Sequence, residues 1–212
     1  MKTKKTILIF AGLLLYASSI MAQTYYYNTT KTFYENGYTY QCDARSGEKS
    51  VTLYNKSNQY TYATPTFKDG SPISRVYWDS FPELLEDDDW TKPYCYYVIN
   101  SAFSAAERQR TQGRKIGISM YINPATGDVL EVDFWFIMNG PFATIPVSVY
   151  RSIETGIKSS VWFTPTAEGK KLNYIMLSWM HEVKEPGRQP SRPRSASSGG
   201  GTRGDGTITR WD

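Results

Sequence analysis

The chain contains one histidine, His181, and this restricts the chemistry that its side chains can support. A Ser-His-Asp or Cys-His nucleophile system would need this imidazole as its base, and the sequence has no glycine-flanked serine elbow. His181 falls near the end of a predicted edge strand, where we expect a partly exposed structural histidine. One imidazole cannot form a histidine-rich metal site. We therefore predict no catalytic residue, no metal and no cofactor.

Acidic side chains suggest two further kinds of chemistry. Three aspartates at residues 87–89 could attract calcium, but they lack the alternating spacing and central glycine of an EF-hand loop. We favour a solvated acidic surface there. Glu131, Asp133 and Glu154 could supply a carboxylate pair for glycoside hydrolysis, although spacing alone selects no pair among them. A hydrolase is therefore the least supported alternative.

Residues 1–22 are typical of a secretory signal peptide. Three lysines precede an apolar run at residues 7–16, and small residues lead to a predicted cleavage site between Ala22 and Gln23. The apolar run is shorter than the ~20 residues that span a bilayer, which argues against a retained anchor. The residue after the predicted cleavage point is Gln23 and not a cysteine that could carry a lipid. We expect a periplasmic or extracellular protein with no stable membrane anchor.

Removal of the signal peptide also removes three lysines, which lowers the formal net charge from +4 to +1. A nearly neutral protein has no electrostatic preference for phosphate backbones, so nucleic acid is not predicted as a partner. Residues 23–183 suffice for one domain with a substantial interior and are too few for two ordinary domains.

Cys42 and Cys95 are the only cysteines, and both lie in the part of the chain that would be exported. A disulfide between them is one alternative, because exported proteins meet oxidising conditions. Two separate buried thiols are the other alternative, since pairing requires Cα atoms within about 7 Å. The spacing of the two residues leaves both open.

The elements that position these residues begin with short strands. Residues 24–64 are crowded with tyrosine and threonine and are interrupted by turn-forming pairs, which predicts a β-meander. Asn36-Gly37 suits a two-residue type I′ loop, in which both central residues need positive φ. Another strand is predicted at residues 73–78, whereas residues 81–90 remain ambiguous between a helix and a loop.

Residues 115–137 have the pattern of two paired strands. Apolar residues alternate with small or polar ones from residue 116 to 122, and a turn containing Pro124 and Gly127 follows. The second arm, residues 129–137, has one apolar and one mixed face. Capping-box spacing between Ser104 and Glu107 predicts a short helix at residues 105–112, just before the first arm.

A longer helix and a closing hairpin are predicted after this pair. Apolar residues recur every fourth position in one stripe, formed by Ile145, Val149, Ile153 and Ile157. Strands at residues 161–163 and 172–183 flank a turn at residues 167–170. The predicted fold class is α+β: a mostly antiparallel sheet with one or two helices packed on one face, preceded by the β-meander of a β-rich part at residues 23–100.

The order of these elements resembles the C-terminal domain of TonB-like proteins over residues 115–183. The resemblance rests on the Gly127-x-Val129 turn, the segment Trp162-Phe163-Thr164-Pro165 after the helix and the Gly169-Lys170 turn before the last strand. It implies that the domain binds protein partners by strand addition. The whole chain is also similar to small secreted proteins of unknown function that are common in Bacteroidetes.

Residues 184–212 differ in composition from the rest of the chain. They are rich in Pro, Gly, Ser and Arg and have no apolar cluster before Ile208, so we predict a disordered tail. The tripeptide Arg203-Gly204-Asp205 in this tail matches an integrin ligand, but three residues in a glycine-rich segment match easily by chance.

The functional prediction is an exported, non-enzymatic binding domain. Residues 172–183 are expected at a sheet edge, where unpaired backbone groups can add a strand from an envelope protein. The predicted contact residues are Leu172, Tyr174, Met176, Ser178 and Met180. The alternative is a carbohydrate-binding module in which surface aromatics such as Trp78 and Trp90 stack on a glycan.

Overall fold

The computed structural model describes residues 24–80 and 82–193. A six-stranded antiparallel sheet forms its centre, which agrees with the predicted α+β class. The strands are β1 (Lys31–Glu35), β2 (Tyr38–Arg45), β3 (Ser50–Asn55), β4 (Lys115–Ile122), β5 (Val129–Ile137) and β6 (Ile175–Glu182). Their spatial order is β1-β2-β3-β5-β4-β6. The predicted signal peptide and the residues from 194 onward, including Arg203-Gly204-Asp205, lie outside the described residues.

The first three strands form the predicted meander, and the turn between β1 and β2 has the predicted backbone. Asn36 has φ 45° and Gly37 has φ 81°, as a type I′ turn requires. β3 then pairs with β5, so the meander joins the β4–β5 hairpin in one continuous sheet.

The predicted closing hairpin is wrong. β6 pairs along its whole length with β4, at the edge of the sheet. Residues 161–163 instead form a single bridge between Trp162 and Asp128, and the N–H of Phe163 donates to the carbonyl of Gly127. Residues 161–163 are too few to form a ladder, whereas β4 offers β6 a backbone edge of eight residues.

Among the described residues, four α-helices accompany the sheet: α1 (Arg75–Asp79), α2 (Thr91–Ala102), α3 (Ala105–Thr111) and α4 (Val147–Ser160). The predicted strand at residues 73–78 is wrong, because Ser74 accepts a hydrogen bond from the N–H of Tyr77 and starts α1. The capping box of Ser104 and Glu107 is present at α3, as predicted. None of the described helices combines the length and apolar character that crossing a bilayer requires.

The core lies between the sheet and the long helices. Tyr150 of α4 stacks on Phe136 of β5, with ring centroids 5.5 Å apart and nearly parallel planes. Tyr96 of α2 stacks on Trp179 of β6 at 6.4 Å. On the opposite side of β5, Glu131, Asp133 and Trp135 alternate with these core residues. We call the side of the sheet that carries Trp135 the outer face.

Candidate functional site

The five predicted contact residues of the last strand divide into two groups. Leu172 and Tyr174 are buried: Leu172 forms a bridge with Phe67, and the hydroxyl of Tyr174 donates to the carbonyl of Ala63. Both residues precede β6 and hold the chain segment at residues 63–67 against the sheet. They are therefore unavailable to a partner. Met176, Ser178 and Met180 are exposed.

The backbone groups of these three residues point away from the sheet. Successive residues of a strand direct their N–H and C=O to opposite edges. Met138 donates its N–H to the carbonyl of Lys49. The backbone N–H and C=O groups of even-numbered residues in β5 therefore point toward β3, and those of odd-numbered residues point toward β4. In β4, the backbone groups of odd-numbered residues point toward β5 and those of even-numbered residues toward β6. Because even-numbered residues of β4 stand opposite odd-numbered residues of β6, the backbone groups of the odd-numbered residues in β6 point toward β4. The N–H and C=O of Met176, Ser178 and Met180 consequently lie on the outer edge of β6.

This edge lacks the features that usually protect exposed strands. Natural edges are short, bulged, or interrupted by lysine or proline. β6 pairs with β4 over eight consecutive residues without a register shift, and it contains neither lysine nor proline. By contrast, β1 at the opposite edge has five residues and begins with Lys31. β6 therefore has the geometry of an acceptor for another strand.

A row of apolar side chains crosses the outer face beside this edge. Trp135, Gly117 and Met180 stand in register on β5, β4 and β6. The side chains of Trp135 and Met180 are exposed by 41% and 39%. A methyl group on Gly117 would lie 3.3 Å from Cβ of Trp135 and 3.5 Å from the sulfur of Met180, so these two side chains close over the glycine. Met176, further along β6, is also exposed.

His181 is buried rather than partly exposed as predicted. Its Nε2 lies 2.9 Å from Oδ1 of Asn100, which also accepts the N–H of Lys184. Because Asn100 Oδ1 can only accept, Nε2 of His181 must carry a proton and donate. Burial, and next the positive charge of Lys184, lower the pKa of His181 to about 4. The imidazole is therefore a neutral structural group in β6.

The carboxylates considered for hydrolysis do not form a free pair. Glu131 accepts the N–H groups of Gln59 and Tyr60, at 2.7 and 2.9 Å, and so fixes the loop after β3 over the outer face. Asp133 accepts the hydroxyl of Tyr121 at 2.7 Å, and burial raises its pKa. Both carboxylates anchor neighbouring groups, while Glu154 belongs to α4.

The acidic run at residues 87–89 has a structural role that the sequence analysis missed. The carboxylate of Asp88 accepts the N–H groups of Trp90 and Thr91, and it caps the start of α2. Carboxylates are also stabilised at this end of a helix by its dipole. Within the described ranges, no three acidic, cysteine or histidine side chains are arranged to hold a metal ion.

The two cysteines are free thiols, so the disulfide alternative is wrong in this structure. Cys42 lies in β2 with its sulfur 3.6 Å from the carbonyl of Thr29, and Cys95 lies in α2. Both are completely buried, and burial raises the pKa of Cys42 to about 11. Each thiol therefore packs in the core without a partner cysteine, Cys42 from β2 and Cys95 from α2.

The tryptophans proposed for glycan stacking occupy different surroundings. Trp90 is half-buried against Trp162, with ring centroids 4.4 Å apart. Trp78 in α1 is exposed by 39% and touches Tyr77 edge-on. Arg192 lies over the ring of Trp162, which places part of the predicted tail, residues 184–193, against the domain.

Comparison with known proteins identifies relatives but no activity. Residues 23–179 match the family described as Domain of unknown function (DUF5043). The crystal structure of a DUF5043 family protein from Bacteroides uniformis is similar, with a TM-score of 0.74 and 38% sequence identity. The similarity covers 82% of this chain and 96% of that chain. Among curated proteins, no match was found.

These matches support the similarity to Bacteroidetes proteins of unknown function, and they give no support to the TonB-like resemblance. The matched family spans the meander, the hairpin and β6 up to residue 179, so it includes Met176 and Ser178 of the outer edge. The chain belongs to the DUF5043 family.

Proposed function

We propose that this protein is an exported, non-enzymatic binding domain that adds an extended segment of a partner protein to the outer edge of β6. The observation that carries the proposal is the outward direction of the backbone groups of Met176, Ser178 and Met180. An added strand gains main-chain hydrogen bonds at such an edge, and neighbouring side chains give it specificity.

The helix packing leaves one side of this edge accessible. Trp179, Ile118 and Phe134 stand in register across β6, β4 and β5. Tyr96 of α2 contacts Trp179, and Tyr150 of α4 contacts Phe134. We infer that both long helices cover this face, so that neither of them covers the outer face beside Met176 and Met180.

The exposed side chains favour a partner segment with two apolar residues four positions apart. On the outer face, residues of an added strand would lie beside Met176, Ser178 and Met180, in that order. Apolar residues beside the two methionines would extend the row formed by Met180, Gly117 and Trp135. A small or polar residue suits the position beside Ser178. Strand addition was also implied by the TonB-like resemblance, but the proposal rests on this geometry.

The test replaces Ser178 by proline, which should remove a hydrogen-bond donor from the outer edge of β6 only. The N–H of Ser178 faces outward, so Ser178→Pro removes an edge donor while the ladder to β4 keeps its hydrogen bonds. The probe is a labelled octapeptide with two valines four positions apart and serine midway between them, and its binding is measured by fluorescence anisotropy. We expect the parent protein to bind the peptide and Ser178→Pro to lose binding, with an unchanged circular dichroism spectrum.

Two controls separate strand pairing from contact with side chains. Ser178→Thr keeps the N–H and should bind like the parent protein. The same peptide methylated on alternate amide nitrogens should not bind, because it lacks donors for the ladder. Equal binding by Ser178→Pro, or by the methylated peptide, would contradict strand addition. Concentration-dependent dimerisation lost in Ser178→Pro would make a second copy of the chain the occupant, against the proposal of a different partner.

A further inference from the structure

A second surface is a cleft on the outer face of the sheet, at β2 and β3. Trp135 stands opposite Thr52, and Thr52 stands opposite Asp43, so Asp43 shares the outer face with Trp135. Residues two positions apart in a strand point to the same face, which places Gln41 and Tyr54 there as well. The side chains of Asp43, Gln41 and Tyr54 form the floor of the cleft.

The loop after β3, residues 56–63, forms the wall of the cleft. Glu131, which also lies on the outer face, accepts the N–H groups of Gln59 and Tyr60 and holds this loop against the sheet. The space between the loop and the strands has a volume of about 580 Å³. Small-molecule sites have volumes of about 300–1,000 Å³, so the cleft is large enough for a small ligand.

Tyr62 in this loop contributes an exposed aromatic ring to the cleft. The residue is 54% exposed, yet its hydroxyl donates to Oδ2 of Asp43 at 2.7 Å. Its ring meets the ring of Tyr54 edge-on, with centroids 5.7 Å apart, and the hydroxyl of Tyr54 donates to the same oxygen of Asp43. These contacts fix the position of the Tyr62 ring without a ligand, which lowers the entropic cost of binding one.

The charges of the residues that line the cleft cancel. The lining contains one carboxylate, that of Asp43, and one ammonium group, that of Lys56. Arg45 lies over the ring of Tyr62 but is not part of the lining, and its guanidinium group pairs with Glu48 at 3.6 Å. The cleft therefore favours neither an anion nor a cation by its net charge.

The other polar groups of the lining suit a ligand with several hydroxyl groups. Gln41, Asn58 and Gln59 supply amides, which both donate and accept hydrogen bonds as a sugar hydroxyl does. Among the residues that the structure describes, the side chains of Lys56 and Gln59 have no hydrogen bond or ion pair with a protein group. Both are therefore available to a ligand. The apolar face of a sugar ring packs on a flat aromatic surface such as Tyr62.

We propose that this cleft binds a neutral saccharide, with a sugar ring against Tyr62 and hydroxyl groups bonded to Gln59 and Lys56. The glycan alternative from the sequence named Trp78 and Trp90, and neither of them lines this cleft. The site is separate from strand addition, because β5 and β4 lie between it and β6.

Titration calorimetry on the full chain tests the proposal with three neutral disaccharides: cellobiose, xylobiose and mannobiose. We expect at least one of them to bind, with an affinity that does not change as salt increases. Tyr62→Ala should weaken binding about tenfold because the aromatic surface is lost, whereas Tyr62→Phe keeps the ring and should bind nearly like the parent protein. Gln59→Ala keeps the backbone N–H that Glu131 accepts and should weaken binding about fivefold, the equivalent of one hydrogen bond.

Two variants control for loss of any exposed tyrosine and for the other surface. Tyr34→Ala makes the same chemical change on a tyrosine of β1 that is 81% exposed and lies outside the cleft lining, so it should leave the affinity unchanged. Ser178→Pro should also bind the disaccharide like the parent protein, whatever it does to peptide binding. The proposal is overturned if none of the three disaccharides binds, if Tyr62→Ala binds like the parent protein, or if Tyr62→Phe or Tyr34→Ala weakens binding as much as Tyr62→Ala.

Discussion

His181 shows how one buried side chain can make stability depend on pH. Its Nε2–H donates to Asn100, and a second proton would place a charge inside the protein close to Lys184. The folded protein therefore keeps the imidazole neutral down to about pH 4, whereas the unfolded chain binds a proton near pH 6.5. Stability from this residue is fully present above pH 6.5 and is lost as the pH falls toward 4.

His181→Gln should reduce this pH dependence. Glutamine can donate to Asn100 but does not titrate, so the variant should lose less stability than the parent between about pH 7 and pH 4.5. The difference is at most about 3 kcal/mol for a shift of this size. Urea unfolding of both proteins at both pH values measures this difference. The contributions of carboxylates are the same in both proteins and cancel in the comparison. Parallel pH profiles for parent and variant would show that His181 is not responsible.

The sequence predicted single residues of the site only where their exposure depends on neighbours in the same strand. Met176, Ser178 and Met180 follow from strand alternation at a predicted edge, because side-chain direction repeats every second residue. Leu172 and Tyr174 fit the same alternation, but contacts with distant residues, Phe67 and Ala63, bury them. The cleft beside Tyr62 depends on the contacts of Gln59 and Tyr60 with Glu131, which is distant in sequence, so no local spacing predicts it.

At the scale of elements, Gly127 connects the β4–β5 turn to the segment after α4. It has φ +80°, in the left-handed region, and the N–H of Phe163 donates to its carbonyl. A side chain at this position would overlap the carbonyl group of Phe163. The turn glycine and the close approach of a second chain segment thus depend on the same missing Cβ.

Gly127→Ala should therefore destabilise the protein more than Gly37→Ala does. Gly37 has nearly the same φ, +81°, but a methyl group there meets no atom within 4 Å. We expect Gly37→Ala to cost about 1 kcal/mol from backbone conformation alone. Gly127→Ala should cost at least about 2 kcal/mol more because Phe163 must move. Urea unfolding of both variants measures the difference, and equal losses would contradict the role given to the contact.

The elements differ in how much of their structure the sequence reveals. The apolar stripe of α4 and the alternation of β4 are strong local signals, and both elements lie where they were predicted. α2 was missed because its sequence, rich in tyrosine and β-branched residues, has weak helix propensity. Its stability comes from the Asp88 cap and from contacts of Tyr96 with β6. Pairing partners such as β4 and β6 were not predictable, because they are distant in sequence.

At the scale of the whole molecule, the strand order separates the two proposed surfaces. The cleft lies on β2 and β3, whereas β6 forms one edge of the sheet. β5 and β4 lie between them and have a paired strand on each side. The central strands hold the core, while β1 and β6 are the two edges of the sheet.

Hydrogen exchange should follow this arrangement. Amides of β4 and β5 open only when the core opens, so we expect them to exchange slowest, near the rate of global unfolding. β1 pairs with one strand only and is short, so it should exchange faster. Mass spectrometry of peptides from exchanged protein measures both rates. Equal protection of β1 and β5 would show that the sheet opens as one unit.

The crossing of β6 back to β4 has a consequence for biosynthesis. β4 and β5 can pair as soon as residue 137 is made, but β6, the second neighbour of β4, follows only after residues 138–174. Until then, the backbone groups of Ile116, Ile118 and Met120 are unpaired at a sheet edge that is apolar on its core side. A truncated product ending before residue 175 would keep that edge unpaired and would be prone to aggregate.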